Sequence, residues 1–134
     1  MMLRAPLLVL GVALFAGCAA PPPPKPPSGL ADLMERPAER ALFEGIRAYD
    51  DGNYPQAENA LRKALNGGSQ DGLHSGRDQA TAHKLLAFIT CTSERVPECE
   101  AEFRAARAAD PAFVLSRAEA GHPVWGPVYK RVLQ

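Results

Sequence analysis

The chain has little of what chemistry at a site requires. Its three histidines, His74, His83 and His122, are scattered through 134 residues. They form no His-Glu-x-x-His run and no other metal-ligating spacing. His83 reads as an ordinary partly buried histidine and His122, before Pro123, as a bend residue. The glycine-rich stretch 67–76 lacks a Gly-Lys-Ser/Thr ending and follows a helical segment, so it is no phosphate cradle. The pattern therefore points to no enzyme, no catalytic residue, no metal and no cofactor. Charge of one sign is also missing: 15 basic side chains meet 15 acidic ones. That balance gives no electrostatic case for nucleic acid or for an anionic lipid surface. No apolar run reaches the about 20 residues a bilayer span needs. Period-2 alternation is absent, which argues against a sheet. There is one tryptophan, and there are three cysteines.

The N-terminus is well marked. Arg4 gives a short positive region, and Ala5 to Phe15 is an apolar region of 11 residues, the form of a secretory signal. Phe15-Ala16-Gly17-Cys18 closes it. This tetrapeptide resembles the lipobox of bacterial lipoproteins: an apolar residue, a small residue, Gly or Ala, then Cys. Phe15 departs from the usual Leu. The resemblance implies cleavage before Cys18, a diacylglyceryl thioether on its sulfur and acylation of the new amine. Two or more acyl chains make a stable anchor. The family's sorting rule keeps Asp-bearing proteins at the inner membrane; Ala19 is not Asp, which implies outer-membrane delivery. Pro21 to Pro24, Lys25, Pro26 and Pro27 follow. Proline lacks the amide donor, so this stretch reads as a polyproline spacer. At about 3.1 Å per residue, Ala19 to Ser28 would hold a domain up to roughly 30 Å from the bilayer. The expected organisation is a signal over 1–17, a lipidated cysteine and tether over 18–29 and one helical domain over 30–134. About 105 residues suffice for a single small core.

Proline and glycine cut that domain into helices. Pro37 opens the first, with Ala41, Leu42, Gly45, Ile46, Ala48 and Tyr49 at helical spacing up to Gly52-Asn53. Pro55 opens the second, with Ala57, Ala60, Leu61, Ala64 and Leu65 inward. A third is expected from about Asp78 to Thr92, and a fourth from Pro97 to Asp110-Pro111. Ser116 to Ala120 reads as a Ser-capped turn, Pro123 to Pro127 as a bend, and Pro127 as the start of a last helix with Val128, Val132 and Leu133 on one side.

Gly45, Ala57, Leu61 and Ala64 recur as Ala87, Cys99, Phe103 and Ala106 at a constant offset of 42. With Gly52-x-Tyr54 in the first copy and Pro111 closing the second, the pattern resembles the tetratricopeptide repeat family, whose unit is about 34 residues. Glu44 stands where the family prefers Leu, Cys99 where it prefers Ala, and Thr90 where it prefers a large aromatic. The eight extra residues fit a longer connection, Gly67 to Gly76. The resemblance implies an all-α fold: repeats over about 38–69 and 78–111, then a cap over 112–134.

Two repeats are fewer than such arrays normally need. Two features are expected to compensate. With Cys18 taken by the anchor, Cys91 and Cys99 remain as a pair in an oxidising compartment, and a structural disulfide between them is expected. A redox pair would want Cys-x-x-Cys, and zinc held with His83 has the wrong spacing. The C-terminal segment is the second feature. Trp125 and Tyr129 either pack it onto the repeats or anchor a partner. The family resemblance implies a peptide-holding groove lined by first helices, here Leu42, Ile46, Tyr49, Lys84 and Phe88, with Cys91 at its edge. The same groove is alternatively filled by the C-terminal segment. The expected function is a lipid-anchored, periplasm-facing adaptor for another envelope protein, of the kind pilotin-like or cell-wall-scaffold lipoproteins provide. A small-ligand or cell-wall-fragment binding module, and a purely structural subunit, are the alternatives.

Overall fold

Pro37 and Pro97 sit where the sequence places helix starts, and the helices form there. The computed structural model describes residues 36–66 and 72–132. The signal, Cys18, the proline tract and Leu133 lie outside the described residues. Among the described residues there are six helices and no strand. They are α1 (Pro37–Asp50), α2 (Tyr54–Asn66), α3 (Gly76–Thr92), α4 (Val96–Ala109), α5 (Arg117–Ala120) and α6 (Gly126–Val132). No helix among these residues is long and apolar enough to cross a membrane.

α1 and α2 pair as one hairpin, α3 and α4 as a second, and α3 also packs on both helices of the first. α1 buries Ala38, Ala41, Leu42, Gly45 and Ala48; α2 buries Ala57, Leu61 and Ala64. The spacing of three and four puts each set on one helix face. Gly45 sets the approach of the pair. A Cβ there would stand 2.7 Å from Leu61 Cγ and 3.2 Å from the Leu61 backbone nitrogen, so only a hydrogen fits. α3 is the central element: every residue from Leu85 to Cys91 is buried. Buried Thr90 turns its hydroxyl back onto its own helix, donating to the Leu86 carbonyl at 2.8 Å. That satisfies a polar group which would otherwise cost stability in the core.

Helix α3 begins at Gly76, two residues before the expected Asp78. The reason is local. Ser75 is the N-cap, and its side chain accepts from the Asp78 backbone N–H at 3.3 Å. The glycine-rich connection is therefore shorter than the sequence reading made it.

The offset of 42 extends from the core faces into the turns. In the first turn the N–H groups of Asp51, Gly52 and Asn53 donate to Arg47, Tyr49 and Ala48. In the second those of Ser93, Glu94 and Arg95 donate to Ile89, Cys91 and Thr90. Each donor and each acceptor is displaced by 42. Gly52 has φ 75° and its counterpart Glu94 has φ 61°. The two hairpins thus share core register and turn geometry.

After α4 the chain turns at Asp110-Pro111, with the Ala112 N–H donating to Asp110 Oδ1 at 2.9 Å. Phe113 and Leu115 enter the core, α5 follows, and α6 packs on α4 through Val128 and Tyr129.

Candidate functional site

Tyr54, Tyr49, Phe88, Trp125 and His122 form a continuous row of rings. Tyr49 comes from the last turn of α1, Tyr54 from the first of α2, Phe88 from the middle of α3 and Trp125 from the bend before α6. Ring centroids are 5.5 Å apart for Tyr54 and Tyr49, 6.5 Å for Tyr49 and Phe88, and 4.2 Å for Phe88 and Trp125, which stack. His122 lies flat on Trp125 at 3.3 Å. Phe88 is the floor, only 4% exposed, whereas Tyr49 and Trp125 are half-buried and Tyr54 is 46% exposed.

The C-terminal segment is locked to one end of this row. The Trp125 indole N–H donates to the Glu119 carbonyl at 2.8 Å. The Glu119 carboxylate accepts from Lys84 Nζ at 2.7 Å and from the Ser116 N–H at 2.9 Å. Ser116 returns the bond, accepting from the Glu119 N–H, so the two form a capping box at the head of α5. Burial opposes ionisation of Glu119, but the Lys84 and Ser116 bonds outweigh it and hold its pKa below the usual range. Lys84 also lies 5.8 Å from the Phe88 ring centre. Burial raises the Tyr49 pKa, with Tyr54, Asp50 and Glu119 adding to the rise.

Several residues expected on a partner-facing surface are engaged by the chain itself. Leu42 and Phe88 are core residues, 8% and 4% exposed. Tyr129 is 6% exposed, edge-on to Phe103 at 5.2 Å, and its hydroxyl accepts from the Leu115 N–H at 3.0 Å. The reason is the C-terminal cap: α6 lies on α4 and brings Trp125 across Phe88. Ile46, Tyr49, Lys84 and Trp125 keep part of their surface. Tyr54 joins the row beyond the residues expected from the sequence; its place two residues after Gly52, across a tight turn from Tyr49, is the signal that marks it.

A second cluster ties the hairpins together. Glu58 on α2 accepts from Arg95 at 2.7 and 3.0 Å and from Arg62 at 2.8 and 3.1 Å. Arg62 reaches Glu98 at 3.4 Å and Glu102 at 3.5 Å on α4, and Glu102 meets His83 Nδ1 at 2.7 Å. The Arg95 bonds are the main reason the Glu58 pKa is lowered to about 2; partial burial opposes this and Arg62 adds to it. Arg95 is raised in turn by Glu58. These side chains neutralise one another in fixed pairs, which suits a clasp more than a site for proton transfer.

Cys91 and Cys99 are disulfide-bonded, with a Cα separation of 5.1 Å. The bond joins the end of α3 to the first turn of α4. No group of three His, Cys, Asp or Glu among the described residues is placed to hold a metal. One cleft of about 470 Å³ lies near the end of α2 and the start of α3, beside His74 and His83. Its polar groups are partly taken: Gln79 donates to the Leu73 carbonyl at 2.6 Å, and His83 faces Glu102.

No family model, curated protein or solved structure matches this chain. Any assignment of function rests on its own residues.

Proposed function

We propose that the protein is a lipid-anchored adaptor of the bacterial envelope. It faces the periplasm and holds an extended segment of another envelope protein along the Tyr54–Tyr49–Phe88–Trp125 row. Cys18 carries the anchor, and the two hairpins are tetratricopeptide-like units whose first helices support the row. One observation carries this reading: rings from both hairpins and the C-terminal cap are in contact and keep one edge in solvent. Half-exposed aromatics on a rigid base suit recognition, because they bring large contact area at little entropic cost. Lys84, 5.8 Å from the Phe88 ring centre, and partly buried Ile46, one turn before Tyr49 on α1, add a cation and an apolar surface that suit a peptide with an apolar anchor and an accepting backbone. Cys18→Ser tests the location: fatty-acid labelling and membrane fractionation should both be lost, and unchanged fractionation would contradict the anchor. Co-purification from solubilised membranes tests the row. Tyr54→Ala and Tyr49→Ala should each weaken recovery of a partner about tenfold, the cost of one good aromatic contact; equal recovery would contradict the site.

A further inference from the structure

We propose that the aromatic row seats the chain's own proline tract, Pro21–Pro27, which folds back onto the domain it tethers. The occupant is chosen by chemistry, reach and charge. Proline-rich segments bind rows of aromatic rings, because their polyproline form is preset and loses little entropy on docking. Phe88 stands between Tyr49 and Trp125, 6.5 Å from one and 4.2 Å from the other. Tyr49 and Trp125 therefore lie at most about 11 Å apart, a span that one to two three-residue polyproline turns of roughly 9 Å each cover.

Reach is sufficient. Nine residues, 28–36, separate the tract from Pro37, and extended they span about 30 Å. Tyr49 lies near the far end of α1, about 18 Å from Pro37 at 1.5 Å per residue. The tract can therefore run back along α1 and lie over the row.

Charge matches as well. Lys25 is the only charged residue between Ala19 and Gly29. Asp50 and Asp51 are both exposed beside Tyr49 and are acidic. Asp50 joins none of the ion pairs found among the described residues, and Asp51 meets only Arg47, at 4.0 Å.

A short connection gives the tract a millimolar effective concentration at the row, so a contact weak between separate molecules is well populated within one. Seating is a form of self-occupancy: a partner must displace the tract to reach the rings. Where Cys18 carries lipid, displacement also releases the domain from the bilayer to the full length of the tether. The inference shares its surface with the proposed function but does not need it, because the test involves no partner.

The test uses residues 18–134 without lipid. Cys18 is then the one free thiol, since Cys91 and Cys99 are bonded. A nitroxide on Cys18 is read by NMR. The Tyr49 and Tyr54 amides and the single Trp125 indole should lose at least half their intensity, while Arg107 should not. Changing the six prolines of the tract to serine at constant length should restore the signals, and Lys25→Glu should restore them in part. Those serine-substituted chains should also bind a free Ala19–Gly29 peptide about tenfold more tightly than the intact chain, because no resident tract competes. Broadening that is uniform, or unchanged by the proline substitutions, overturns the proposal. So does broadening seen only when a nitroxide-bearing copy is mixed with an isotope-labelled unmodified copy, because the seat would then belong to a second molecule. Peptide binding of equal strength to both chains overturns it too.

Discussion

Glu94 holds φ at 61° in the second turn, where the first turn has Gly52 at 75°. A side chain in the left-handed region costs about 1–2 kcal/mol, and the Glu94 side chain makes no hydrogen bond or ion pair among the described residues that would offset it. Glu94→Gly should therefore stabilise the fold by about 0.5–1 kcal/mol after the added freedom of the unfolded chain is discounted. That is a few degrees in melting temperature. Gly52→Ala should lower stability by about 1 kcal/mol. Thermal unfolding of both variants checks the pair, and a fall on Glu94→Gly would contradict the duplication of the turns. The offset of 42 was legible for Gly45, Leu61, Cys99 and Phe103, because small and large residues recur at fixed steps. The turn at Glu94 was not, since glutamate carries no turn signal. It becomes visible only when the offset is applied to Gly52.

At the scale of elements, the hairpins are held by a covalent staple and a polar clasp. The Cys91–Cys99 bond closes a short loop, and in the chain-entropy model its removal costs about 2–3 kcal/mol. The paired Cys91→Ala, Cys99→Ala chain should lose about that amount in urea unfolding, and the intact chain should show no thiol from this pair by mass. The clasp was hidden from the sequence. Its central contact joins residues 37 apart, Glu58 and Arg95, and no local pattern pairs them. Glu58 has a folded pKa of about 2 against an ordinary 4.5. A carboxyl lowered on folding stabilises the protein above its unfolded pKa, and the gain disappears as pH falls through the folded value. The intact protein should lose stability between about pH 4.5 and 2. Glu58→Gln should be less stable at neutral pH, with a flatter fall across that window. Parallel acid titrations of the two would contradict the clasp. Helix starts were readable to within about two residues, and the miss at α3 came from the Ser75 cap.

At the scale of the whole molecule, two hairpins alone leave the Phe88 and Phe103 side uncovered, and the C-terminal segment covers it. Ending the chain at Pro111 should remove cooperative unfolding and expose a dye-binding apolar surface; a sharp thermal transition in that truncated chain would contradict the cap. Capping buries Tyr129 and leaves one edge of Tyr49, Tyr54 and Trp125 in solvent. The sequence already held both readings of Trp125, as cap and as surface; in the structure its ring stacks between Phe88 of α3 and His122, and its N–H is held by the Glu119 carbonyl. In the proposed function this row receives an extended segment of an envelope protein. A photo-reactive side chain at Tyr54 in living cells, compared with one at exposed Arg107 on α4, tests it most directly. The account predicts that Tyr54 captures one recurrent protein through one short stretch of its sequence, and that Arg107 does not. Capture of nothing at Tyr54, or of the same mixture at both positions, would contradict it.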